Sequence, residues 1–126
     1  MRVLLDTNAL LMPGQFGIDL FTELQGMLGS VEPCVIPGTR SELEKIARGK
    51  GRDAAAARLA LGIFARCTVL AWGETGASVD EQIVRCAASE GSVVVTNDRA
   101  LRNRLLQEGL RVISLRRQKA LTMIRR

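Results

Sequence analysis

The chain contains no histidine and no tyrosine, and only 3% of its residues are aromatic. Without histidine it lacks the usual imidazole base, the commonest zinc ligand and any Ser-His-Asp triad. With Phe16, Phe21, Phe64 and Trp72 as its whole aromatic set, a platform for stacking single-stranded bases is not expected. The three cysteines, Cys34, Cys67 and Cys86, are odd in number and form no CxxC pair. That spacing argues against a disulfide framework or a zinc site and fits a reducing cytoplasmic setting, with core filling as the ordinary role of each thiol. No apolar run approaches the length of a membrane span, and Met1-Arg2 leads straight into Val3-Leu4-Leu5-Asp6 without a leader-like segment. The chemistry left to the chain is that of carboxylates, amides, hydroxyls and basic side chains.

What is present is an ordinary globular composition, 47% hydrophobic and 25% charged over 126 residues, enough for one domain over 1–126 with its own core. The net charge of +5 is unevenly spread. Residues 1–98 hold 9 Lys/Arg against 12 Asp/Glu, whereas residues 99–126 hold 9 against 1. An acidic body with a basic C-terminal flank from about residue 116 suits a polyanion, with the acids held locally for a cation. Arg116, Arg117 and Lys119 are the candidate nucleic-acid contacts, and Leu115, Leu121 and Ile124 could dock their segment as a short helix. Arg40, Lys45 and Arg48 offer an alternative path.

Short apolar runs alternate with helical periodicity. Strands are expected at Arg2–Leu5, Cys34–Ile36, Cys67–Ala71, Ser92–Thr96 and Arg111–Leu115. Helices are expected over Ile18–Leu28, Glu42–Ala47, Asp53–Phe64, from Ser78 to about Ser89, and Asp98–Glu108, with Met12-Pro13-Gly14 breaking the chain. Short, wholly apolar strands between helices indicate a three-layer α/β/α sandwich around a parallel sheet of about five strands. Sites in such sheets form beyond the strand carboxyl ends, where strand order reverses.

Four acids fall on connections leaving those ends. Asp6 follows the first strand and Asp98 the fourth, Glu42 opens a helix after the second, and Asp80 opens one after the third. Taken singly, each is explained by helix capping, the helix dipole or ordinary surface exposure. Taken together, with no cation in the same motifs, they would repel and hold a proton unless a metal joined them. Hard oxygen ligands favour Mg²⁺ or Mn²⁺, and a divalent ion among carboxylates is a common apparatus for displacement at phosphorus. Asn8 and Thr96 are supporting candidates, with Thr7 and Asn97 more plausible as turn residues.

Leu5-Asp6-Thr7-Asn8, Ser41-Glu42-Leu43, Val79-Asp80-Glu81-Gln82-Ile83 and Val95-Thr96-Asn97-Asp98, in this order, resemble the PIN-domain ribonucleases over nearly the whole chain. The resemblance implies an α/β/α fold and Mg²⁺- or Mn²⁺-dependent cleavage of single-stranded RNA. Asp6, Glu42, Asp80 and Asp98 would be both metal ligands and catalytic residues. Many relatives read Asp-Asp where this chain has Asp80-Glu81, which leaves open whether Glu81 joins the site. Thr96-Asn97-Asp98-Arg99 and Val112–Arg116 are similar to archaeal relatives of a small-subunit rRNA-processing factor, and the toxins of toxin–antitoxin pairs carry the same acids. The implied partners are RNA, a second copy of the chain, and either a ribosome-assembly factor or an antitoxin. Three other readings compete. A haloacid-dehalogenase phosphatase needs a second Asp where Asn8 stands. A phosphorelay receiver needs an acidic pair after the first strand. A non-catalytic RNA-binding or ribosome-assembly module of the same fold has no use for concentrated negative charge.

Overall fold

The computed structural model describes residues 1–72, 76–117 and 119–124. In chain order the elements are β1 (Arg2–Leu5), α1 (Thr7–Phe16), α2 (Leu20–Leu28), β2 (Glu32–Val35), α3 (Pro37–Ala47), α4 (Arg52–Phe64) and β3 (Thr68–Val69). They continue with α5 (Val79–Glu90), β4 (Val93–Val95), α6 (Arg99–Gln107), β5 (Val112–Arg116) and β6 (Ala120–Ile124). The sheet order is β3-β2-β1-β4-β5-β6. The first five strands in that order are parallel, and β6 is antiparallel to β5.

Side-chain alternation along the strands divides the core into two layers. Val3, Leu5, Val35, Val93, Val95 and Ile113 face α1 to α4, where Leu10, Met12, Leu24, Leu43, Ala57 and Ala60 pack against them. Leu4, Cys34, Ile36, Val94 and Val112 face the other way, onto Ile83, Val84, Ala87, Leu101 and Leu105 of α5 and α6. Both faces of the central strands are therefore dry, which is why β1 and β4 read as unbroken apolar runs. Cys34 and Cys86 are buried and Cys67 partly so. Burial pushes the Cys67 and Cys86 thiols up to about 11, so they are core filling rather than reactive thiolates.

The three-layer fold and its parallel strands match the sequence expectation, and four local details differ. Met12-Pro13-Gly14 does not break the chain: α1 runs through it and ends at Gly17, at a φ of 68° that suits glycine. Gly14 has a packing reason to be there. A Cβ at this position would lie 2.6 Å from the Ala56 Cα, so its absence lets α1 and α4 approach closely. Helix α3 begins at Pro37, a proline at the first helical position, so Glu42 lies in the second turn and does not open the helix. The third strand is only Thr68–Val69, at an exposed sheet edge. The segment after Arg116 is neither a loose flank nor a helix. It turns back as β6, registered from Val112↔Ile124 to Arg116↔Ala120, and buries Leu121. Arg125 and Arg126, the end of the expected basic flank, lie outside the described residues. Among the described residues no helix is long and apolar enough to cross a membrane.

Candidate active site

β1 and β4 lie side by side, registered Val3↔Val93, Leu4↔Val94 and Leu5↔Val95. The chain goes from β1 to β2 on one side and from β4 to β5 on the other, so the sheet order reverses between β1 and β4. A crevice opens beyond their carboxyl ends, as expected at such a switch point. Its cavity measures about 430 Å³ and is lined by Asp6, Thr7, Asn8, Leu11, Glu42, Lys45, Ile46, Val79, Asp80 and Asp98. All four predicted acids, drawn from four separate connections, face this one space.

Each acid is placed by local structure. Asp6 is the N-cap of α1, its Oδ1 accepting from the Ala9 amide at 2.8 Å. Asp98 caps α6 in the same way, its Oδ1 accepting from the Leu101 amide at 2.8 Å. Capping therefore does account for one oxygen of each aspartate. The second oxygen of Asp6, Oδ2, accepts from the Thr96 hydroxyl at 2.5 Å. Thr96 Oγ1 in turn accepts from the Asp98 amide at 3.0 Å. One buried hydroxyl thus spans the exits of β1 and β4 and fixes Asp6 relative to Asp98. Glu42 reaches in from α3 and accepts from the Thr7 hydroxyl at 2.5 Å. Asp80 lies in the first turn of α5, behind the cap that Ser78 makes to the Glu81 amide.

The electrostatics bear the mark of burial first and of neighbouring charge second. Asp6 is only 4% exposed, and its carboxyl is pushed up to about 7. Burial is the main cause, opposed by the hydrogen bonds from Thr96 and Ala9 and reinforced by the charges of Asp80 and Asp98. Asp80 is also raised, by desolvation first and then by Asp98 and Glu42. It keeps part of its surface open to solvent, which screens its shift more than that of Asp6.

These carboxylates feel one another without forming a closed cage. Among the described residues no group of three acidic, histidine or cysteine side chains is arranged to hold an ion directly. The donor set still fits a hard cation such as Mg²⁺, which takes one or two carboxylates directly and keeps several of its waters. A fully protein-ligated ion does not fit it.

The neighbouring residues sort cleanly. Asn8 lines the cavity. Asn97 turns away, its Oδ1 accepting from the Leu115 amide at 2.9 Å and tying the exit of β4 to β5. Glu81 is held by Arg104 at 2.7 Å and by Arg85 at 3.3 Å and does not line the cavity that Asp80 lines. Thr7, expected mainly as a turn residue, orients Glu42. Ser114 escaped the sequence reading altogether. Buried, it donates to the Thr96 carbonyl at 2.5 Å and so supports Thr96 from β5. A serine in an otherwise apolar strand was the available signal.

The RNA-contact candidates lie on the same edge of the sheet, though not in the cavity. Arg116 ends β5, whose parallel direction brings its carboxyl end to the edge that carries Asp6 and Asp98. Arg117, at a φ of 54°, and Lys119 form the turn into β6 and are exposed.

A family model described as a PIN like domain matches residues 3–119. This chain belongs to the PIN-like domain family. Among solved structures, the PIN domain endonuclease Utp24 superposes with a TM-score of 0.80 at 28% identity, covering 99% of this chain and 92% of the other. A domain of a functionally unknown protein from Methanocaldococcus jannaschii gives a TM-score of 0.65 at 20% identity, over 91% of each chain. A chain of VapBC2 from Rickettsia felis, bound to a DNA fragment from its promoter, gives 0.64 at 16% identity, over 90% of this chain and 98% of that one. The last two show the fold alone. No curated protein matches the chain.

Proposed function

We propose that this PIN domain is an endoribonuclease that cleaves single-stranded RNA with the help of Mg²⁺ or Mn²⁺. The observation that carries this reading is the meeting of Asp6, Glu42, Asp80 and Asp98 in one cavity at the β1/β4 switch point. Family membership and the likeness to the endonuclease Utp24 support it independently.

In this reading the four carboxylates hold the ion, some directly and others through its water. When bound, the ion supplies an activated water and counter-charge for the leaving oxygen at phosphorus. The chain's own contribution is orientation. Thr96 keeps Asp6 and Asp98 in fixed relation, and Thr7 keeps Glu42 turned inward. Leu11, Ile46 and Val79 give the cavity an apolar wall that lowers the local dielectric and strengthens each charge interaction inside. Asn8 offers an uncharged donor and acceptor at the rim, suited to a ribose hydroxyl or a phosphate oxygen. Arg116, Arg117 and Lys119 extend the site along the sheet edge and receive the flanking strand by its phosphates.

The similarity to Utp24 exceeds that to the VapBC chains in identity and in TM-score. It supports an endonuclease activity; between the two biologies we favour rRNA processing on the resemblance carried by Thr96–Arg99 and Val112–Arg116. A ribosome-assembly complex is the partner class that accompanies this reading. The test is cleavage of a fluorescently labelled single-stranded RNA with Mn²⁺, with Mg²⁺ and with chelator. Cutting that requires the ion supports the proposal. RNA binding without cutting under any ion would instead make the protein a non-catalytic RNA-binding module of the same fold.

A further inference from the structure

The cavity lining contains a charge that the family resemblance did not assign. Lys45 is the one basic residue among the described residues that line the acid cavity. It stands three residues after Glu42 on α3, a spacing that puts both on one face of the helix. Two neighbouring acids offer obvious partners, and Lys45 takes neither. Glu42 is held by the Thr7 hydroxyl, and Glu44 pairs with Arg40 at 3.8 Å on another side of the helix. Among the described residues no ion pair or side-chain hydrogen bond engages Lys45. An ammonium in the last turn of α3 would be favoured by the helix dipole in any case. The dipole does not account for its lining this cavity with its charge unspent.

A phosphodiester entering the cavity brings negative charge to a wall that already holds four carboxylates. A divalent ion answers part of that charge. Lys45 supplies a further positive charge from the α3 side of the cavity. We propose that Lys45 binds a non-bridging phosphate oxygen of the strand being cut and pins that strand against α3. Arg40 and Arg48, its basic neighbours in sequence, are not part of the contact: neither lines the cavity. The inference rests on the nuclease reading for the identity of the strand, but binding tests it without cleavage.

The experiment compares Lys45→Ala and Lys45→Arg with their parent in an Asp98→Asn background, using a fluorescein-labelled single-stranded RNA. Anisotropy titrations are run at several salt concentrations without divalent metal. A single phosphate contact predicts a Kd weaker by roughly tenfold or more for Lys45→Ala, as for the loss of about one charge-assisted hydrogen bond. The log–log salt slope should become shallower by about 0.7, the increment for one phosphate on a single strand. Lys45→Arg keeps the charge and should retain most of the affinity and the slope. With Asp98 restored, Lys45→Ala should raise KM and leave kcat nearly unchanged, because the phosphate is charged before and during reaction. An unchanged slope in Lys45→Ala would overturn the proposal. So would an equal loss in Lys45→Arg accompanied by a lower melting temperature, which would make Lys45 a structural residue. If the parent bound RNA but the wild type never cut it, the slope change would still support the Lys45 contact while the nuclease reading failed.

Discussion

The burial of Asp6 makes a prediction about stability that can be read without RNA. Burial pushes the Asp6 carboxyl up to about 7, against an ordinary value of 3.8. Between those two values the folded chain holds a proton that the unfolded chain has released, so stability falls as pH rises. The gap between those two values corresponds to roughly 4 kcal/mol between the two plateaus, at about 1.4 kcal/mol for each tenfold change in proton affinity. Over an accessible window of about pH 4.5 to 8 the expected loss is about 3 kcal/mol. Asp80 is raised as well and acts in the same direction. Asp19 and Glu32, which hydrogen bonds hold below their ordinary values, lose their contribution only as pH falls towards and below the ordinary carboxylate range. They do not mask the slope. Asp6→Asn keeps a good N-cap for α1 and removes the titrating group. It should flatten most of the dependence and, near pH 8, be more stable than the wild type. Urea unfolding in chelator across this window measures both. Wild-type stability that is flat or rises from pH 4.5 to 8, or an Asp6→Asn protein weaker than wild type near pH 8, would refute the claim that Asp6 is buried among unneutralised acids.

Three further outcomes follow from the same geometry. Millimolar Mn²⁺ near pH 8 should raise the wild-type melting temperature by mass action and raise that of Asp98→Asn less; calorimetry decides it. Gly14→Ala places a methyl 2.8 Å from the Ala56 Cβ and 2.6 Å from its Cα, so α1 and α4 must separate. Overpacking of this kind costs about 1–3 kcal/mol in urea unfolding. Changing Arg116, Arg117 and Lys119 together to Glu should weaken binding of single-stranded RNA and flatten its salt slope by about 2 units, with Mn²⁺ stabilisation retained, as anisotropy and calorimetry would show.

Much of the site was legible because it is built from local rules. An apolar run that ends in aspartate marks both β1–Asp6 and β4–Asp98, whereas the pairing of β1 with β4 that brings those two exits together is seen only in the sheet order. What the sequence concealed depended on tertiary contact. Pro13-Gly14 reads as punctuation, yet the helix carries on because the missing Cβ of Gly14 admits Ala56. Residues 120–124 lack a clear strand pattern and carry a basic approach, and they become β6 only because the edge of β5 offers a ladder and a place for Leu121. Thr7 and Ser114 are unremarkable in sequence. They matter because folding sets one against Glu42 and the other against the Thr96 carbonyl. Glu81 shows the converse, an acid in the right motif that two arginines hold away from the cavity.

The central claim is that Asp6, Glu42, Asp80 and Asp98 act as one ion-dependent centre for cutting RNA. The most direct measurement is single-turnover cleavage of a labelled single-stranded RNA with saturating Mn²⁺, comparing the wild type with Asp6→Asn, Glu42→Gln, Asp80→Asn and Asp98→Asn. Circular dichroism would verify that each variant is folded. The account predicts ion-dependent cutting by the wild type and a loss of at least about a hundredfold in each variant, the scale on which removing one preorganised electrostatic group acts. Wild-type cleavage that persists in chelator, or a folded variant of any of the four that cuts at the wild-type rate, would contradict it.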